Sequence, residues 1–168
     1  MDRKIDILLS KYGESHQHET NKAIHWVCVP LIMFSLVGLL MSVPFPNYSI
    51  VFNLATLVLM FALGYYLRLS LPLSFGLIFI VISLLLGNYY LKLYVEAIGI
   101  NYVYVSLMIF ILAWIGQFYG HKVEGKKPSF LEDIQFLLIG PAWLLHFIYK
   151  KLGFKYWTKE IRDLWFFF

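Results

Sequence analysis

Four of the five histidines in this chain lie in the polar margins of hydrophobic segments: His16, His18, His25 and His121. Neutral imidazole is the commonest protein ligand for iron, zinc and copper. The chain has 168 residues, of which 60% are hydrophobic, so these margins are where apolar segments meet a polar phase. The placement of the histidines therefore predicts a metal site at a membrane surface.

The spacing of the first three histidines requires an interruption of the helix between His16 and His25. His16 and His25 are nine positions apart, which at about 100° per residue puts them on opposite faces of a continuous helix. One regular helix cannot present both to one metal. We therefore predict that a new helix begins between them, with Thr20 or Asn21 as its N-cap. His18 is close enough in sequence to be a candidate fourth ligand.

A second group of polar residues follows one stripe of a predicted helix near the end of an apolar stretch. Gln117, His121 and Glu124 stand at positions i, i+4 and i+7, so all three can face a common interior site. An ionisable pair such as His121 and Glu124 at a membrane boundary favours a functional role. Glu124 is thus a further candidate ligand. His146 lies within a later apolar stretch, and its role stays open between a buried membrane histidine and a substrate-facing group.

Four apolar stretches of membrane-spanning length precede the loop that begins at residue 121, and these are the elements that must position the polar groups. They cover residues 24–43, 49–67, 71–91 and 102–119. The mean hydropathy of +0.70 and the charged fraction of 14% are typical of an integral membrane protein and exclude an ordinary soluble domain. We predict one integral membrane domain over residues 1–168.

The basic residues predict how this domain is oriented. Four Lys and Arg precede the first stretch, none directly follows it, and three lie in residues 122–127. The positive-inside rule places both basic segments on the cytoplasmic side, in a bacterial inner membrane or the endoplasmic reticulum. His16, His25 and His121 would then share one membrane face. The net charge of +4 is interpreted as attraction to membrane lipid headgroups, not to nucleic acid.

The stretch at residues 134–149 is too short to be a fifth span and contains Gly140-Pro141. We predict a re-entrant or interfacial helix here, because a true span would carry the five basic residues that follow to the wrong side. The tail at 157–168 is expected to rest on the membrane surface. The predicted fold class is therefore an all-α integral membrane helical bundle, with about four transmembrane helices plus this helix.

The two polar motifs together resemble the family of membrane-embedded 2-hydroxy fatty acid dioxygenases. The likeness runs in order through nearly the whole chain. The residues that carry it are Tyr12, His16, Asn21, His25 and Val29-Pro30, then Trp114, Gln117, Phe118, Gly120, His121, Glu124 and Pro128, and finally Gly140-Pro141.

This resemblance implies an Fe(2+)-dependent enzyme that shortens a 2-hydroxy fatty acid by one carbon with dioxygen, a step of fatty acid alpha-oxidation. It further implies that His16, His25 and His121 are the iron ligands. Asn21, Gln117 and Glu124 also match the family pattern, and we predict that they act in catalysis as ligand, supporting or substrate-orienting groups.

Two other functions are compatible with the same residues. A zinc-dependent membrane lipid hydrolase could use Glu124 on a metal-bound water. A non-catalytic helical membrane or lipid-binding protein could use the histidines to bind headgroups. The sequence contains no Gly-x-Ser-x-Gly elbow, phosphate-binding glycine loop or Cys-x-x-Cys pair, which disfavours nucleophilic and nucleotide chemistry.

Overall fold

The computed structural model describes residues 3–45, 49–128 and 135–154. These ranges form α-helices and no strand. The helices are α1 (Lys4–Glu14), α2 (Glu19–Met41), α3 (Leu54–Leu69), α4 (Leu71–Ala97), α5 (Tyr102–Glu124) and α6 (Gln135–Lys151). The predicted tail at 157–168 lies outside the described residues.

Three of these helices are long and apolar enough to cross a membrane. They are α2, α4 and α5, with mean hydropathies of 2.2, 2.1 and 1.7, whereas α3 is apolar but has only 16 residues. The second predicted span is shorter than expected because its first residues form a turn, in which the Phe52 N–H donates to Ser49 Oγ, and because Asn53 then caps α3 through the Thr56 N–H. The predicted all-α membrane bundle is confirmed, with three long apolar helices and one shorter one.

The break between α1 and α2 lies a few residues before its predicted position. Residues 15–18 form the turn, and His18 is the N-cap of α2, because its Nδ1 accepts the backbone N–H of Thr20 at 3.2 Å. The predicted N-cap at Thr20 or Asn21 is therefore wrong. A histidine ring nitrogen supplies the acceptor that an Asn or Thr side chain usually supplies, and Asn21 is instead buried within the first turns of α2.

α2 and α5 form the most extensive helix pair among the described elements. Two glycines four residues apart make this close approach feasible, as in other small-residue membrane helix interfaces. A Cβ atom added to Gly120 would lie 2.5 Å from Asn21 Oδ1, and one added to Gly116 would lie 2.7 Å from Cys28 Sγ. The pair holds the first turns of α2 against the last turns of α5, where His25 and His121 lie.

We expect Gly120→Ala to destabilise this helix pair. The new methyl group would press on the Asn21 amide, which is anchored by its own hydrogen bonds to Ser15 O and Glu124 Oε2. Overpacking of this kind costs about 1–3 kcal/mol, so the detergent-purified variant should unfold at a lower temperature than the wild type. Gly64→Ala is the matched control, since nothing lies within 4 Å of a Cβ added there. Equal unfolding temperatures for both variants would contradict the close packing.

α6 covers the end of the bundle at which α2 begins and α5 ends. It runs as one continuous helix through Gly140 and Pro141. The Tyr66 hydroxyl of α3 donates to Leu138 O of α6, and the Tyr149 hydroxyl of α6 donates to Pro72 O of α4 at 3.0 Å. α6 therefore packs against the end of α3 and the start of α4.

Candidate metal centre

Three histidines from separate parts of the chain meet at one end of the bundle. His16 lies in the turn after α1, His25 in the second turn of α2, and His121 in the last turn of α5. One ring nitrogen from each lies within 4.8 Å of the others, and the three side chains are 2%, 0% and 4% exposed. The three histidines are therefore close together in space, whereas the membrane face on which they lie stays a prediction.

The hydrogen bonds of His16 and His25 fix which ring nitrogen faces the cluster. His16 Nδ1 lies 2.6 Å from Tyr12 O, and His25 Nδ1 lies 2.9 Å from Asn21 O. A carbonyl oxygen can only accept, so each Nδ1 carries the proton and each neutral ring presents the lone pair of its Nε2. The two Nε2 atoms lie 2.8 Å apart. Two lone pairs at this distance cannot form a hydrogen bond with each other, but both can bind one cation.

This donor set fits a transition metal. Ligating histidines almost always donate their second ring N–H to a carbonyl or carboxylate, which orients the ring, and both His16 and His25 do so. The third histidine has an orphaned atom, because His121 Nδ1 is buried with no hydrogen-bond partner among the described residues. Imidazole nitrogens of this kind suit iron, zinc and copper.

The surroundings of His16 keep its ring uncharged. The Tyr12 ring stacks on it with centroids 4.1 Å apart, and the Trp143 ring of α6 lies 5.3 Å away. Burial lowers the pKa of His16 to about 4, with nearby His121 acting in the same direction. The imidazole is therefore neutral at physiological pH, and no proton has to leave before a metal binds.

Gln117 reaches the same point from α5. Its amide Nε2 lies 2.5 Å from His25 Nε2, the atom that would face a metal, while its Oε1 is buried with no partner in the part of the chain that the structure describes. The side chain is 6% exposed. Gln117 is thus the predicted polar residue that lies directly against the three histidines, with an acceptor available for a ligand.

Glu124 and Asn21, unlike Gln117, form their hydrogen bonds with the turn between α1 and α2 and with each other. The Glu124 carboxylate accepts the backbone N–H groups of Gln17 and His18, both at 2.9 Å, and the Asn21 amide at 3.1 Å. Asn21 also donates to Ser15 O. These bonds join the end of α5 to the turn that carries His16. Both side chains face this turn, so the geometry favours a supporting role for them over direct contact with a metal or substrate.

The sequence of this chain matches a known family. A sequence model of the Mpo1-like family, described as 2-hydroxy-palmitic acid dioxygenase Mpo1-like, matches residues 3–152. The chain belongs to the Mpo1-like family. It is 32% identical over 150 residues to 2-hydroxy-palmitic acid dioxygenase MPO1 of Saccharomyces cerevisiae, an alignment covering 87% of this chain and 80% of that protein. No solved structure matches it. The family inferred from the sequence motifs is confirmed.

Two histidines of this Mpo1-like chain lie apart from the cluster. His18 is exposed, and its Nδ1 is engaged as the N-cap of α2. His146 lies in α6, with its ring 5.9 Å from that of Phe147. Among the described residues, the group of possible metal ligands contains only His16, His25 and His121. A fourth protein ligand, predicted as His18 or Glu124, is not brought into this group.

An apolar groove beside the histidines of the Mpo1-like site could not be predicted from the sequence. An apolar groove runs from the histidine cluster between α2, α3, α4 and α6. Its polar end is formed by Tyr12, Gln117 and His121, and its walls include Val29, Ile32, Met33, Leu36, Val37, Leu40, Val58, Leu59, Ala62, Leu63, Leu77, Ile80, Val81 and Leu84. These side chains are of the same types as those that face lipid, so composition alone cannot separate them.

Proposed function

We propose that this chain is an iron(II)-dependent dioxygenase that shortens 2-hydroxy fatty acids by one carbon, with His16, His25 and His121 as the metal ligands. The observation that carries the proposal is the convergence of three buried imidazoles, two with their Nε2 lone pairs facing each other, at the end of an apolar groove. Membership of the Mpo1-like family and similarity to a yeast protein named as a 2-hydroxy-palmitic acid dioxygenase support the reaction class.

Ferrous iron held by these three histidines would supply chelation of a 2-hydroxy acid and activation of dioxygen. The residues of the chain have other tasks. The carbonyls of Tyr12 and Asn21 hold the rings of His16 and His25 in position. The aromatic rings of Tyr12 and Trp143 pack over His16 and exclude water from that side of the cluster.

Gln117 is the residue best placed to orient the polar head of the substrate. Its unpartnered Oε1 is an acceptor for the 2-hydroxyl group, and its side chain borders both the histidines and the groove. Leaving a buried polar atom without a partner is costly, so a hydroxyl that satisfies it is favoured over a hydrogen atom at the same carbon. This gives the site a means to distinguish a 2-hydroxy acid from the parent fatty acid.

The apolar helices and the basic segments beside them also indicate where in the cell the protein lies. Three apolar helices of spanning length support a membrane protein, and membrane lipids would then surround it. We propose that the histidine cluster lies at the cytoplasmic surface of a bacterial inner membrane or of the endoplasmic reticulum, because the flanking segments are basic. The substrates are then a 2-hydroxy fatty acid from the bilayer and dioxygen, which is apolar and soluble in it.

The direct test is dioxygen consumption by the purified protein. The protein is stripped of metal, loaded anaerobically with ferrous iron, and given 2-hydroxypalmitate or palmitate. We expect oxygen uptake and a product one carbon shorter from 2-hydroxypalmitate alone. Cleavage of an ester-linked lipid by zinc-loaded protein, without oxygen uptake, would instead indicate a hydrolase. Full activity after metal removal would refute the proposal.

A further inference from the structure

The apolar groove beside the histidines is polar at one end only. Tyr12, Gln117 and His121 form the end at the cluster, and away from it the walls supplied by α2, α3 and α4 are aliphatic. This distribution matches an amphiphile whose head reaches the histidines and whose tail extends along the bundle.

The groove extends deep into the membrane-spanning part of the bundle. Along α2 its wall runs from Val29 to Leu40, which is roughly 16 Å at the rise of an α-helix. α3 runs in the opposite direction, from Val58 at the far end to Tyr66 near the cluster. The groove is therefore long enough to hold an extended hydrocarbon chain.

The far end of the groove meets a packed cluster of side chains. Val37 and Leu84 line it, and they also belong to a packed cluster with Met41 and Ala55. These four residues are 3%, 8%, 1% and 0% exposed. Well-packed side chains resist the entry of further atoms, so a chain that reaches this cluster can extend no further along the bundle axis.

The side of the groove is open. Leu36, Val58 and Leu137 line it and are 36%, 41% and 38% exposed, one from each of α2, α3 and α6. In a membrane protein these surfaces face lipid. A hydrocarbon chain can therefore enter sideways from the bilayer without crossing water.

We propose that the apolar groove binds the acyl chain of the substrate and that the packed cluster at its far end limits the length of chain that the groove holds along the bundle. This inference rests on the proposed function for the identity of the head group. Ala62 lies at the middle of the groove on α3, one turn from Val58 and one turn from Tyr66. It is the only alanine among the described residues that line the groove, so a larger side chain at this position blocks the path at half its length.

The test compares Ala62→Phe with Met60→Phe. Met60 is on the same helix, 63% exposed and outside the groove lining. For Ala62→Phe we expect kcat/KM for 2-hydroxypalmitate to fall by about 10- to 100-fold, while that for 2-hydroxyoctanoate stays near the wild-type value. Met60→Phe should keep the wild-type preference. Ala62→Leu serves as a milder second variant, and metal content and unfolding temperature report whether each variant folds.

Direct binding of spin-labelled palmitate separates this inference from the proposed function. Suppose that the wild type binds the probe but turns over no 2-hydroxy acid, and that binding is lost in Ala62→Phe alone. This result would support acyl-chain binding in the groove and refute the proposed dioxygenase function. Suppose instead that the wild type is active while Ala62→Phe, Ala62→Leu and Met60→Phe all share one chain-length preference. That result would refute the inference that the groove binds the acyl chain. Weaker binding in both phenylalanine variants would also overturn it, since the effect would then come from the lipid-facing surface.

Discussion

Replacing His25 with alanine is expected to abolish iron binding and dioxygen consumption while the protein remains folded. His25 is fully buried at the centre of the cluster, with its Nε2 2.8 Å from that of His16. Loss of a supporting hydrogen-bond partner already reduces metal affinity by about 10- to 100-fold, and loss of a ligand should cost more. His16→Ala and His121→Ala should behave in the same way. The measurements are iron per chain after gel filtration and oxygen uptake with 2-hydroxypalmitate.

His146→Ala is the matched control for these variants. It removes an imidazole from α6, outside the cluster, and should leave iron content and oxygen uptake near wild-type values. If His146→Ala lost iron as completely as His25→Ala, or if His25→Ala kept wild-type iron, the histidine cluster would not be the metal site. The protein would then be better described as a lipid-binding protein in which the histidines serve packing.

Glu124→Ala is expected to weaken iron affinity by about 10- to 100-fold, yet to leave the rate per bound iron close to that of the wild type. The carboxylate accepts two backbone N–H groups from the turn that follows His16, and the Asn21 amide as well. Without it the turn loses two charge-assisted hydrogen bonds and Asn21 of α2 loses a third, so His16 is held less firmly. Iron titration of the metal-free protein gives the affinity, and turnover at saturating iron gives the rate.

The dependence on iron concentration decides the role of Glu124. A positioning residue is rescued by excess iron, whereas a ligand or proton-transfer group is not. Glu124→Gln should lie between the wild type and Glu124→Ala, because its amide oxygen can still accept one of the two N–H groups. Glu96→Ala, at an exposed carboxylate near the end of α4, is the control. If the Glu124→Ala variant turned over slowly even at saturating iron, the prediction from the sequence that Glu124 is catalytic would be supported instead.

Much of the site could be predicted from residue types and spacing. The histidines stand at the ends of apolar stretches, and counting charges puts those ends on one face, so their proximity follows from the topology. The need for a break between His16 and His25 follows from helix periodicity. Its position does not, because His18 caps α2 with a ring nitrogen, and histidine is not among the residues that usually signal an N-cap.

Other features could not be predicted for physical reasons. The partners of Glu124 are backbone N–H groups of Gln17 and His18, which every residue except proline carries, so no residue type marks them. The shortening of α3 depends on a local turn from Ser49 to Phe52 within an otherwise apolar stretch. The groove is lined by the same aliphatic residues that face lipid, and which of them line it depends on how the helices pack.

The most direct test of the central claim is X-ray absorption at the iron edge of the wild-type protein, purified without oxygen and reconstituted with ferrous iron. A single iron ion per chain with about three imidazole nitrogens in its coordination shell is the expected result, together with loss of that signal in the His16→Ala, His25→Ala and His121→Ala variants. Iron that is absent from the wild type, or retained with an unchanged spectrum in all three variants, would contradict a three-histidine metal centre.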